Sequence, residues 1–295
     1  MTSSRAPISP DVMREAKHYR GVTGFFDTHA HLYDKRFAEE GMTPDEVLLR
    51  ASQAGVTRIL IPADNLQTSI EAVDYRNAHD GEHGVALYAS VGFHPHEAKD
   101  YTKDAEEQLI KMLDRNSRKD NGILALGEIG LDYYYDLSPR DVQRSVFVRQ
   151  LELARELDIP VIIHERDATG DALDILRDAW NRGILRENPG VCHCCSMSAE
   201  AAGEMVKMGF YIGVDGPLTF KNNRKTPEVV RNTPVDRIVI ETDSPYLTPE
   251  PNRGITNGPE FVPFVAVKLA EILNMDIEEI CRITACNGLR MYEVK

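Results

Sequence analysis

No stretch of the 295-residue chain approaches the roughly 20 consecutive apolar residues of a membrane span, so no spanning helix is expected. Residues 1–20 lack an apolar run and carry Asp11 and Glu15, which argues against a secretory leader. Basic side chains are in deficit: 34 Lys and Arg against 47 Asp and Glu leave a net charge of -13. Broad coating of nucleic acid works through basic patches that displace counterions, and this composition does not supply them. A phosphate-bearing substrate would therefore need metal ions and a local basic rim. Cysteine is sparse and odd in number: Cys192, Cys194, Cys195, Cys281 and Cys286 fit a reducing, cytoplasmic setting better than a disulfide framework. No Gly-x-Gly-x-x-Gly turn follows the first strand candidate, and no linker, repeat or low-complexity tract interrupts the chain.

What is present is a steady alternation. Apolar content of 42% suffices for one large core, and β-branched runs at 24–32, 56–63, 85–92, 123–130, 160–164, 191–195, 210–214 and 237–241 read as strands. Between them, 44–54, 66–78, 105–115, 140–157, 170–180 and 199–208 have helical spacing, as does 262–273 after the last strand. Eight strand–helix units predict a (β/α)8 TIM barrel, a fold of about 250 residues, rather than a doubly wound open sheet. Residues 1–20 read as an N-terminal arm, 21–295 as a single barrel domain, and 275–292 as a tail of short helices.

Barrel enzymes carry their chemistry at the C-terminal ends of the strands. Strand one runs into Asp27-Thr28-His29-Ala30-His31, where strand alternation sets His29 and His31 on one face as a metal claw. Strand three ends in Gly92-Phe93-His94-Pro95-His96, strand four in Gly127-Glu128-Ile129-Gly130-Leu131-Asp132 and strand five in His164 followed by Arg166; strand six carries His193, and strand eight closes with Glu241-Thr242-Asp243-Ser244-Pro245. Imidazoles and carboxylates converging on one mouth suit divalent ions of the zinc, manganese or magnesium type. Four histidines and two acids exceed the needs of one open site, so two ions are expected.

In these blocks, together with Gln150-Leu151-Glu152-Leu153-Ala154 and Pro160-Val161-Ile162-Ile163-His164, the chain resembles the TatD-related deoxyribonucleases, from Phe26 to the C-terminus. The resemblance implies that His29, His31 and Asp243 hold one ion, that Glu128 bridges, and that His164 and His193 hold the second. It further implies magnesium-dependent, typically exonucleolytic hydrolysis of DNA, with manganese or zinc as other candidates. In that setting Asp243 is the candidate base for the attacking water. His94 and His96 could touch a phosphate or protonate the leaving group, or could be polar turn residues. Arg166 could clamp a phosphate oxygen or form a salt bridge, and Arg253 and Asn257 are the remaining substrate-binding candidates.

Two departures from the family pattern bear on substrate. Where the family usually reads His-Cys-Phe-Ser-Gly, this chain has His193-Cys194-Cys195-Ser196-Met197, and Met197 would crowd the rim unless it turns away. The loop Arg253-Gly254-Ile255-Thr256-Asn257 lacks the two basic residues usual there, although Lys221, Arg224 and Lys225 offer either a basic lip or a solvated loop. Strand alternation directs Cys192 and Cys194 away from His193 as small apolar filler and leaves Cys195 on its face. A hydrolase of small esters, amides or phosphoesters, and a catalytically silent binding protein on the same barrel, stand beside the nuclease reading. Oligomeric state is open, with a monomer compatible.

Overall fold

The computed structural model describes residues 24–294; the expected arm over 1–20 lies outside the described residues. Eight parallel strands, β1 (Phe25–Asp27), β2 (Val56–Ile61), β3 (Ala86–Val91), β4 (Ile123–Asp132), β5 (Val161–Arg166), β6 (Gly190–Cys192), β7 (Tyr211–Val214) and β8 (Ile238–Ile240), pair in sequence order. The seam between β8 and β1 closes just beyond the strand ends. Thr28 N donates to Ile240 O (3.2 Å), Asp243 N to His29 O (2.9 Å) and His31 N to Ser244 O (2.8 Å). The Asp27 carboxylate fastens this seam by accepting from Thr242 N (2.9 Å) and Thr242 Oγ1 (2.6 Å). The expected (β/α)8 barrel is what forms.

Two apolar layers hold it. Phe26, Leu60, Ala125, Ile162, Val191, Tyr211 and Val239 fill the lumen, while a larger cluster packs the outer strand faces against the surrounding helices. The floor is closed by Ile277–Met291, one 15-residue helix where a tail of short helices was expected. Asp276 caps it by accepting from Glu278 N (2.7 Å), and Asn287 Nδ2 donates to Val235 O (2.9 Å) and Ile238 O (2.7 Å) under the barrel. Gly288 allows the contact, since a Cβ there would come within 2.7 Å of the Phe26 ring.

Strand alternation then carries the inward face upward from apolar to polar. Ile162 is followed two residues later by His164, Val191 by His193, and Val239 by Glu241. Strands β1, β6 and β8 are only three residues long, shorter than the sequence runs suggest. Their chains leave the ladder at the mouth, where Cys194 (φ 42°) and Asp243 (φ 55°) adopt left-handed backbone.

Candidate metal centre

His29, His31, Glu128, His164, His193 and Asp243 meet at the C-terminal mouth. Around Glu128 Oε1 stand His29 Nε2 (3.4 Å) and His31 Nε2 (3.6 Å), and the same nitrogens lie 3.6 and 3.5 Å from Asp243 Oδ1. Four donors about 2.1 Å from a common centre stand about 3.4 Å apart, so this spacing fits one cation. Glu128 Oε2 faces the other way, 2.8 Å from His193 Nε2 and 3.6 Å from His164 Nδ1, and those two nitrogens are 3.2 Å apart. The rings of His29 and His193 stack between the two groups, centroids 4.0 Å apart.

His29 is fully buried, and among the described residues neither of its ring nitrogens has a hydrogen-bond partner; His193 Nδ1 is likewise unpaired. Buried polar atoms are rarely left so, and a bound cation is the partner that this donor chemistry accommodates. Electrostatics match a site built for positive charge. Burial would raise the Glu128 carboxyl, yet His193, His29 and His164 hold it well below the usual range. Burial lowers His29 to about 4. It presses equally on His31 and His164, but Asp243, Asp64 and Glu128 around the first, and Asp132 and Glu128 around the second, raise both to about 9.

A cavity of about 730 Å³ opens over the centre, lined among others by His94, His96, Asp64, Asp132, Tyr135 and Arg166. His94 is neutral, burial and His164 holding it well below its usual value. Its Nδ1 accepts from His96 N (3.1 Å), which leaves the proton on Nε2. His96 Nε2 meets Asp132 Oδ2 at 2.8 Å, and the same carboxylate oxygen lies 3.2 Å from His164 Nε2, so Asp132 orients both rings. Gly130 lets β4 come this close to β5, because its φ is +141° and a Cβ would fall 2.0 Å from His164 O. Arg166 lies over the rings of Tyr134 (4.0 Å) and Tyr135 (4.8 Å).

Some expectations are corrected. Asn257 is fully buried, its amide donating to Thr242 O (2.7 Å) and Tyr246 O (2.6 Å), so it braces the loop after β8 and is closed to substrate. Arg253 stacks on Phe220 at 3.8 Å and does not line the cavity. Met197 turns into the core at 1% exposure, leaving the rim clear. Cys194, not Cys195, lines the cavity, because the chain leaves β6 before alternation reaches it. Lys225 Nζ donates to Ser196 O (3.3 Å), and no basic residue of that loop lines the cavity. Strands β2 and β7 were given no mouth residue from sequence, yet each is followed by a buried or half-buried acid there, Asp64 and Asp215; the strand-end rule applied to every strand finds both.

The profile of the family described as TatD related DNase matches residues 26–293. The chain belongs to that family. Among TatD-related relatives, the Bacillus subtilis uncharacterized metal-dependent hydrolase YabD is 41% identical, covering 91% of this chain and 99% of its own length. YcfH of Escherichia coli K12, also named an uncharacterized metal-dependent hydrolase, is 34% identical over 91% and 95%. The crystal structure of the TatD homologue YjjV from E. coli K12 superposes with a TM-score of 0.81 at 30% identity, covering 92% and 98%. The protein is thus a metal-dependent hydrolase of the TatD-related family. Among the described residues no helix is long and apolar enough to cross a membrane.

Proposed function

We propose that the protein is a two-metal phosphodiesterase that shortens DNA from its ends, working in the cytoplasm, where its five free cysteines suit a reducing medium. The observation that carries this reading is the division of Glu128, one oxygen toward His29, His31 and Asp243 and the other toward His164 and His193. Those six residues would hold two divalent ions, magnesium first, manganese or zinc in its place. Such ions supply Lewis acidity and a water of lowered pKa.

The chain's own groups then divide the work. Water attacks phosphorus, the bond to the leaving oxygen breaks, the water's proton passes to the Asp243 carboxylate, and the leaving alkoxide takes a proton from the water of the open cavity. Burial raises that carboxyl, but His31, His29 and His193 outweigh it and keep it ionised and ready to accept. A neutral imidazole has no readily lost proton for a leaving alkoxide, so His94 serves through its Nε2–H as a hydrogen-bond donor to a phosphate oxygen. His96, lining the same cavity and held by Asp132, is a second phosphate contact, and Arg166, steadied on the two tyrosine rings, is the phosphate clamp.

A second reading, a hydrolase of small phosphoesters, esters or amides, is favoured by one observation: among the described residues lining the cavity, Arg166 is the sole Lys or Arg. A metal-reconstituted assay on end-labelled single- and double-stranded DNA separates the two. Shortening by the wild type, lost in Glu128→Ala and Asp243→Asn, supports the nuclease. No shortening with magnesium, manganese, cobalt or zinc removes it in favour of the small-substrate hydrolase, tested under the same ions.

A further inference from the structure

Beside the centre, on the wall between β6, β7 and β8, lies a donor group of which the nuclease chemistry uses only Asp243. Cys194 Sγ and carboxylate oxygens of Asp215 and Asp243 all stand within 4.8 Å of one another. Asp215 directly follows β7 and is 2% exposed. Its Oδ2 has no hydrogen-bond partner among the described residues, and one of its two carboxylate oxygens reaches into this group. A buried carboxylate oxygen without a donor is uncommon, and although Asp243 faces His31 (3.5 Å), Asp215 has no ion-pair partner among the described residues.

The backbone delivers the thiol deliberately to this spot. Past β6, Cys194 turns into the left-handed region at φ 42°, with its N–H tied to Glu241 Oε1 at 2.6 Å. The side chain thereby joins the cavity wall, where Asp243 also lies. Next to Asp215, Gly216 lets this turn pack against the loop after β8, because a Cβ there would fall 1.8 Å from Leu247 O.

We propose that Cys194, Asp215 and Asp243 form a third cation site, one that takes a thiophilic divalent ion of the zinc class. One sulfur and two oxygen donors at about 2.0–2.3 Å from an ion stand about 3.3–3.5 Å apart, so donors within 4.8 Å of one another close the site by moving in by no more than about 0.8 Å each. A thiolate ligand selects zinc, cobalt or cadmium over magnesium. Three protein donors leave the fourth position facing the cavity, open to water or to a substrate oxygen. The site rests on the metal-binding reading of Asp243 and is independent of DNA as substrate.

Cobalt is the probe, because sulfur-to-cobalt charge transfer is seen only where a thiolate is bound, and the histidine–carboxylate centre gives none. Metal-free full-length protein is titrated with Co2+ while absorbance and bound metal are followed together. The expected result is a third equivalent that arrives with the thiolate band. The band is lost in Cys194→Ser, and the third ion binds at least about 10-fold more weakly in Asp215→Asn. Circular dichroism of both variants checks that they fold, and Asp215→Asn leaves the thiol in place if Cys194→Ser does not. A wild type without the band, a band surviving in Cys194→Ser, or a third equivalent unchanged in Asp215→Asn overturns the site. Failure of DNA cleavage alters none of these readings.

Discussion

The two ends of the barrel are made by the same eight strands and obey opposite rules. At the floor, Phe26, Tyr211 and Val239 meet Ala285 and Met291 of the closing helix and Tyr292 just past its end, and apolar surface finds apolar surface. At the mouth, a few residues up the same strands, buried nitrogens and oxygens face one another, some with no hydrogen-bond partner among the described residues. Stability and function are thus stacked along each strand: the lower half provides cohesion, and the upper half keeps polar groups in a geometry that only a ligand satisfies.

The sharpest way to test that division is a pair of truncations. Glu128→Ala should lower hydrolysis on the order of 10³-fold and reduce bound metal, because both donor groups lose their shared carboxylate. Phe26→Ala should do the reverse, costing about 3–5 kcal/mol in denaturant unfolding while metal content of the folded protein stays the same. If Glu128→Ala instead lost stability with metal retained, the two ends would not be separable. A smaller effect belongs to Asp132→Asn, which leaves every proposed ligand in place yet frees the His96 and His164 rings. A 10–100-fold loss of metal affinity or activity is expected, with unfolding nearly unchanged, and an unaltered metal isotherm would deny Asp132 its orienting role.

The finest test counts protons. His31 and His164, both raised to about 9 in the metal-free fold, are protonated at pH 7.5 and must lose those protons to bind a cation. Titration calorimetry in buffers of different ionisation enthalpy should report up to about two protons released per chain at pH 7.5, falling toward none above pH 9. The linked sign for stability follows. These raised pKa values favour the metal-free fold fully below about 6.5, and that contribution fades as pH rises through 9. A buffer-independent heat would mean that the rings are already neutral before metal arrives.

The barrel was legible in the sequence because its signal is periodic and repeated: eight apolar runs at even spacing survive errors at any one boundary. The six central residues were visible because they recur at strand ends, where this fold keeps its chemistry. What escaped depended on local backbone rather than on pattern. Alternation predicted an outward Cys194, and a single left-handed residue turned it into the cavity. Asn257 and Arg253 looked like substrate contacts because polar residues in a mouth loop invite that reading. In the fold the amide is spent on two carbonyls and the guanidinium on Phe220.

The seam between β8 and β1 has a consequence for the order of events in the cell. Thr28 and Ile240, which meet there, are 212 residues apart in sequence, and His29, His31 and Asp243 sit on the very segments that close it. Until the ribosome has released the last strand, His29 and His31 have no Asp243 to face. The growing chain therefore lacks the complete set of six candidate ligands until β8 and the residues just after it have been made.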